Sequence, residues 1–241
     1  PEGKKMAISL SFDDARLTQI DKGIPLLDKY NIKATFYVSP SSMKQRLDGW
    51  KKAVATGHDI GNHSMVHPCS GNFLWSRQKA LEDYTLKKMR TELDSANMII
   101  KSLLGVEPVS FGYPCGQKYV GRGKKTKSYI PLISKMFESG RGWLDEAPND
   151  PSYCDMAKLY GMELDGKSFE QVLKIIETAK SQGGWIIFAG HEMNEGGNQT
   201  SLLTTIEAIC QYATDPANGI WIDNVHNVAA YVNTVRTGGY R

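Results

Sequence analysis

Three of the chain's five histidines fall within GHDIGNHSMVHP, residues 57–68. Two of them, His63 and His67, stand four apart, and a helical turn across 63–67 would stack both imidazoles on one face, about 5 to 6 Å apart at Cβ. That separation suits two ligands of one ion. A zinc site needs at least a third ligand, and Asp14, in SFDDA at 11–15, offers a carboxylate directly after an apolar run. Asp14, His63 and His67 together would leave positions open to water and substrate, as catalytic rather than structural metal sites do. Asp13 then reads as the base that takes a proton from water, and His191, after WIIFAG, as the acid that protonates a leaving group. This is metal-assisted hydrolysis of an acyl bond without a covalent intermediate. The structural alternative for the Asp pair is a cap on the following helix, since Asp is a favoured N-cap.

These residues need a frame that brings them together. KMAISLSFDDA (5–15) alternates as a strand, and QIDKGIPLLDKYN (19–31) follows as a helix stopping near Asn31. KATFYVSP (33–40) is a strand, LDGWKKAVATGH (47–58) a helix ending at Gly57, and DIGNHS (59–64) a short strand or loop. Residues 77–105 read as one long amphipathic helix closed by Gly105. PVSFGYPCG (108–116) is a strand running into a Gly/Pro turn. Helices are expected over 129–137 and 168–183, a buried strand over 185–192, and helices over 201–215 and 225–237 flanking the short strand 219–224. Strands alternating with helices imply a parallel sheet or barrel. Asp13 and Asp14, His63, the segment 114–116 and His191 all sit at C-terminal strand ends, which converge on one mouth in a β/α barrel. No linker, repeat or low-complexity segment divides the chain, so residues 1–241 are expected to form one α/β domain.

A length of 241 residues accommodates a sizeable core, and 41% hydrophobic with 23% charged residues is ordinary globular composition. The net charge of +3 is small, and the basic stretch GRGKKTK (121–127) carries two glycines and reads as a solvated loop, so nucleic acid is not an expected partner. No run of 18 apolar residues is present, which argues against a membrane-spanning helix. Nothing at the start resembles a signal peptide; the expectation is a secreted or periplasmic protein whose export signal was removed ahead of Pro1. Cys69, Cys115, Cys154 and Cys210 lie far apart with no CxxC, and each taken alone reads as a buried thiol.

The order of these motifs resembles that of the polysaccharide deacetylases, the NodB-homology module of carbohydrate esterase family 4. SFDDA is similar to the family's TFDDG-type first motif, HSMVH (63–67) to its H-[ST]-x-x-H motif, FGYPCG (111–116) to its R-x-P-Y-G motif, and IIFAGH (186–191) to its terminal Leu-x-His motif. The resemblance implies a distorted (β/α)7 barrel. It implies Asp13 as catalytic base, Asp14, His63 and His67 as metal ligands, and His191 as general acid. It also implies that Cys115, where the family has Tyr, donates its backbone N–H to the tetrahedral oxyanion. The implied cofactor is one divalent ion, Zn before Co, Ni or Mn, and the implied partner is an acetylated carbohydrate.

The chain departs from the motifs in places. Gly112 stands where the family carries the Arg that pairs with the base, and Arg141, in SGRGW (139–143), is the expected substitute, the alternative being a surface Arg before a turn. Trp143 is expected as an apolar wall for the acetyl methyl or a sugar face, the alternative being core packing, and Tyr113 as a lining of the sugar groove. Asp145 or Asp223 is expected behind His191. If both motifs border one metal, Cys69 and Cys115 are near neighbours and form a disulfide, the alternative being two small buried fillers. The function that follows is removal of N- or O-acetyl groups from a polysaccharide or oligosaccharide; hydrolysis of a small cyclic amide or imide, and a silent glycan-binding module, are the alternatives.

Overall fold

The computed structural model describes residues 3–238. Eight parallel strands form the main sheet: β1 (Met6–Asp13), β2 (Thr35–Val38), β3 (Asp59–Asn62), β4 (Ser110–Gly112), β5 (Ser139–Arg141), β6 (Met162–Glu163), β7 (Trp185–Gly190) and β8 (Ile220–Ile222). Seven of them run in the order β5-β4-β3-β2-β1-β7-β6, and β8 pairs with the first half of β1. An isolated bridge from Leu159 to Arg141, just ahead of β6, draws the two ends of this path together. The sheet is therefore curled in the manner of the expected distorted (β/α)7 barrel.

Burial on both faces is what a parallel strand under helices requires, and all eight residues of β1 are buried. Its two faces differ. Met6, Ile8, Leu10 and Phe12 join the main core with Leu27, Trp50, Ile206 and Ile209, whereas Ala7, Ser9, Ser11 and Asp13 alternate onto the opposite face. There Ser9 accepts from the Trp185 indole (3.0 Å) and Ser11 donates to the Phe188 carbonyl (2.7 Å). Asp13 ends this polar row at the C-terminal rim.

The helices α1 (Ile24–Lys29), α2 (Leu47–Ala55), α3 (Leu86–Leu104), α4 (Ile130–Met136), α5 (Phe169–Ser181), α6 (Leu203–Thr214) and α7 (Val225–Arg236) largely match the periodicity. The expected helix over 77–105 begins later, at Leu86. Thr85 caps it by accepting from Lys88 N, and Gly105 closes it in the left-handed region. Residues 74–83 form 3₁₀ turns instead, because side chains hold them against the preceding loop: Glu82 accepts from Ser70 Oγ (2.6 Å) and Gly71 N (2.9 Å), and Ser76 exchanges bonds with the Cys69 backbone. The two-residue strand β6 was not expected at all. Residues 19–23, expected as ordinary helix, form a π-helical turn ahead of α1.

Candidate active site

Parallel pairing of β1 with β2 and β7 places Asp13, Asp14 and His191 at one rim. Gln19, buried in the π turn, ties the two strand ends by donating to the carbonyls of Asp13 (2.6 Å) and His191 (2.9 Å). Neither spacing nor motif singled out Gln19.

His63 and His67 do meet, though not through a helical turn. Ser64 and His67 adopt left-handed backbone (φ 63° and 52°) in an irregular loop after β3, and the imidazole centroids lie 4.8 Å apart. Asp14 Oδ1 faces both rings, 3.5 Å from His63 Nε2 and 3.4 Å from His67 Nε2. The other nitrogen of His63 contacts the Gly112 carbonyl at 2.8 Å. A carbonyl only accepts, so Nδ1 carries the proton and the Nε2 lone pair is left facing Asp14.

Asp14, Ala15, Ser64, His67 and Cys115, five of the eight non-glycine residues with left-handed φ among the described residues, surround this cluster. Such backbone costs energy that only a well-determined surrounding sustains, and it concentrates where side chains must be aimed.

The electrostatics fit a cation. Burial opposes ionisation of Asp14, but the nearby His63, His67, Arg16 and His191 outweigh it and hold the carboxyl at about 2. Burial and His63 lower His67 to about 4 against the pull of Asp14, so its imidazole is neutral near pH 7 and available as a ligand. A carboxylate and two imidazoles, with ligand atoms all within 4.8 Å of one another, form a donor set suited to a divalent first-row ion.

Asp13 lies beneath, 3% exposed, with Oδ2 4.0 Å from His63 Nε2. Its partner is Arg141, as expected: the fully buried guanidinium donates to Asp13 Oδ1 and to the Gly142 carbonyl, and lies 4.7 Å from the centre of the Tyr37 ring. Arg141 does not border the groove, so its contact is with the carboxylate and not with a substrate.

His191 is held from behind by Asp165, not by Asp145 or Asp223. Asp165 Oδ2 lies 2.6 Å from His191 Nδ1, while Oδ1 accepts from His191 N (3.1 Å) and Ser201 Oγ (2.7 Å). Asp145 is taken up by Gly161 N and Lys118, and Asp223 by Asn224 N and Asn227. Burial lowers the His191 pKa, but the bond to Asp165 and the charges of Asp13, Asp165 and Asp14 raise it by more. Trp143 packs edge-on against His191 at 5.0 Å and lines the groove.

Tyr113 is a correction. It is fully buried, its hydroxyl donates to the Ala157 carbonyl (2.7 Å), and its ring packs against Phe111 and Tyr129. It belongs to the core below the rim, because a buried phenol with a backbone partner has no reason to face a groove.

Cys115 borders the groove with φ 53° and is disulfide-bonded to Cys69, joining the loop of His67 to the loop after β4. Cys69 Sγ is also 3.6 Å from His67 Nδ1. Of the remaining cysteines, Cys210 is buried as expected and Cys154 only half-buried. Asp13, Asp14, His63, His67, Cys115, Trp143 and His191 open onto one groove of about 1470 Å³.

The sequence model of the polysaccharide deacetylase family matches residues 1–129. The peptidoglycan-N-acetylglucosamine deacetylase PgdA of Listeria monocytogenes is 39% identical over 136 residues, covering 51% of this chain and 29% of PgdA. Chitin deacetylase 1 of Cryptococcus neoformans is 32% identical over 107 residues, 44% of this chain and 20% of that protein. The chain thus spans less than a third of the length of these curated relatives. Among solved structures, the peptidoglycan deacetylase PdaC of Bacillus subtilis superposes with a TM-score of 0.61 at 17% identity, over 99% of this chain and 96% of that one, a likeness of fold.

Proposed function

Because the chain belongs to the polysaccharide deacetylase family, we propose that it is a metal-dependent hydrolase that removes acetyl groups from a carbohydrate. The observation that carries this reading is the convergence, at one groove, of the Asp14–His63–His67 cluster with Asp13 and His191, which Arg141 and Asp165 hold from behind. Asp14, His63 and His67 hold a divalent ion, zinc in the first instance, which supplies Lewis acidity toward an acyl carbonyl when bound. Residues 1–241 act as one deacetylase domain.

The chain's own groups carry the proton transfers. Asp13, positioned by Arg141, takes the proton of the attacking water as its oxygen joins the acetyl carbon. The Cys115 backbone N–H donates to the oxyanion that forms, where such a donor contributes most. Protonated His191, oriented by Asp165, delivers a proton to the departing nitrogen or oxygen as the acyl bond breaks, giving acetate and a free amine or hydroxyl. Trp143 walls the space beside His191 and excludes water there.

The names of the Listeria and Cryptococcus relatives favour N-acetylglucosamine units over O-acetyl esters, and an enzyme of that kind works in the secreted or periplasmic setting that the Cys69–Cys115 disulfide also favours. Acetate release from a panel of acetylated glycans by metal-loaded protein tests the reading: release from an N-acetylglucosamine oligomer supports it, and no release from any glycan refutes it.

A further inference from the structure

The two carboxylate oxygens of Asp14 are used differently. Oδ1 faces both imidazoles, 3.5 Å from His63 Nε2 and 3.4 Å from His67 Nε2. Oδ2 is taken by Arg16, whose Nη2 and Nε donate to it at 2.8 and 3.1 Å. One oxygen is thus aimed at the candidate metal position, while the other already accepts two charge-assisted bonds and has little left to give an ion.

Arg16 is itself anchored from the segment that follows His191. Its Nη1 lies 3.6 Å from Glu192 Oε1, and its Nη2 also reaches Gln199 Oε1 at 3.3 Å. Glu192 accepts from Thr18 Oγ1, which in turn accepts from Met193 N (2.9 Å), and residues 192–194 pair with residues 200–202. The guanidinium lines the groove. With a carboxylate on either side its charge is already matched, so it is not free to capture an anion, and its effect falls on Asp14.

We propose that Arg16 is a positioning residue that limits Asp14 to one donor atom and so sets which ion the site selects. With Oδ2 withheld, Asp14, His63 and His67 offer one atom each, the three-ligand count of a catalytic zinc site. Zinc completes a four-coordinate shell from there with one further ligand, whereas manganese is better served by six donors, mostly oxygen. Releasing Oδ2 adds a second carboxylate oxygen and favours the larger shell. The inference rests on the metal-dependent reading of this cluster, but it concerns which ion is held and not whether turnover follows.

Removing Arg16 also withdraws a positive charge from beside the ion, which strengthens binding, and loosens Asp14, which weakens it. Both effects act on any divalent ion alike. The ratio of two affinities cancels them and reports the number of donors that Asp14 supplies.

Titration of metal-free protein with zinc and with manganese, each in competition with a chromophoric chelator, tests the assignment. Wild-type protein favours zinc, Arg16→Ala narrows that preference by about tenfold or more, and Arg16→Lys, which keeps a charged donor, retains most of it. The Arg16 side chain is 37% exposed, so both variants are expected to keep the wild-type thermal midpoint of the metal-free protein. A ratio of dissociation constants unchanged in Arg16→Ala overturns the inference, whichever way the two constants move together, and so does a wild type that binds neither ion. Arg16-dependent zinc preference in a protein that releases acetate from no glycan refutes the catalytic reading alone. Acetate release by a protein whose ratio ignores Arg16 refutes this inference alone.

Discussion

The guanidinium of Arg141 is buried against the carboxylate of Asp13, 128 positions earlier in the chain, and reaches it from the register position directly opposite Gly112. Gly112 is where the family motif carries its arginine. A Cβ at that position would stand 2.8 Å from Tyr37 Cγ and 3.0 Å from His63 Nδ1, so the site leaves no room for a side chain there. The cation has moved one strand over, to β5, and arrives at the same carboxylate.

Removing Arg141 leaves Asp13 buried without its partner, and breaking a buried pair from one side costs about 3–5 kcal/mol. Arg141→Ala therefore lowers the midpoint of thermal unfolding and reduces turnover while metal content is unchanged. Arg141→Lys recovers only part of either, because an ammonium cannot bond Asp13 and the Gly142 carbonyl with one planar fork. Differential scanning calorimetry and acetate release on the two variants check this; a wild-type midpoint in Arg141→Ala would show the pair to be dispensable.

The disulfide encloses a separation of 46 residues, for which chain-entropy arguments give about 4 kcal/mol of stabilisation. Cys69→Ser with Cys115→Ser should unfold at lower temperature and turn over more slowly, since Cys115 borders the groove and Cys69 adjoins His67. Thiol titration of denatured, unreduced protein should count two thiols, Cys154 and Cys210, and four after reduction. Four before reduction would contradict the bridge.

His191 must be protonated to act as an acid, and its raised pKa keeps it so to higher pH than an ordinary histidine. Asp165→Asn removes the charge and weakens the acceptor that raise it, leaving burial opposed only by Asp13 and Asp14. The basic limb of the pH–rate profile should therefore move to lower pH, with turnover reduced and metal retained. A basic limb that stays in place would mean that Asp165 orients His191 without setting its protonation, or that another group supplies the proton.

The candidate ligands Asp14, His63 and His67 and the candidate base Asp13 were legible in the sequence because their chemistry is local: two histidines and an aspartate pair announce themselves by type and spacing. Asp165 was not, because the strand ahead of it is two residues long and its partner lies 26 positions away, so no periodicity frames it. Arg141 could be found only through the gap left at Gly112. Tyr113 was misread from its place beside a motif, since position along a chain does not say that Ala157 waits with a carbonyl beneath the rim. The 3₁₀ turns that replace the start of the expected 77–105 helix were hidden by helical patterning that continues back from α3 and yields to side-chain bonds from Glu82 and Ser76. Those bonds are tertiary, and patterning does not register them.

Asp13→Asn and His63→Ala separate the two roles assigned to the cluster. Loss of the base should cut turnover by about 10² to 10⁴ with metal still bound, whereas loss of a ligand should remove both. Metal lost from Asp13→Asn would exchange the roles of the two aspartates.

The most direct measurement is acetate release from an N-acetylglucosamine oligomer, followed together with elemental analysis on one preparation as metal is chelated away and zinc is returned, with His63→Ala carried alongside. The account predicts one ion per chain in the wild type, activity that falls with its removal and recovers with its return, and neither metal nor activity in His63→Ala. Acetate release undiminished in the stripped protein, or a stoichiometric ion retained by His63→Ala, would contradict it.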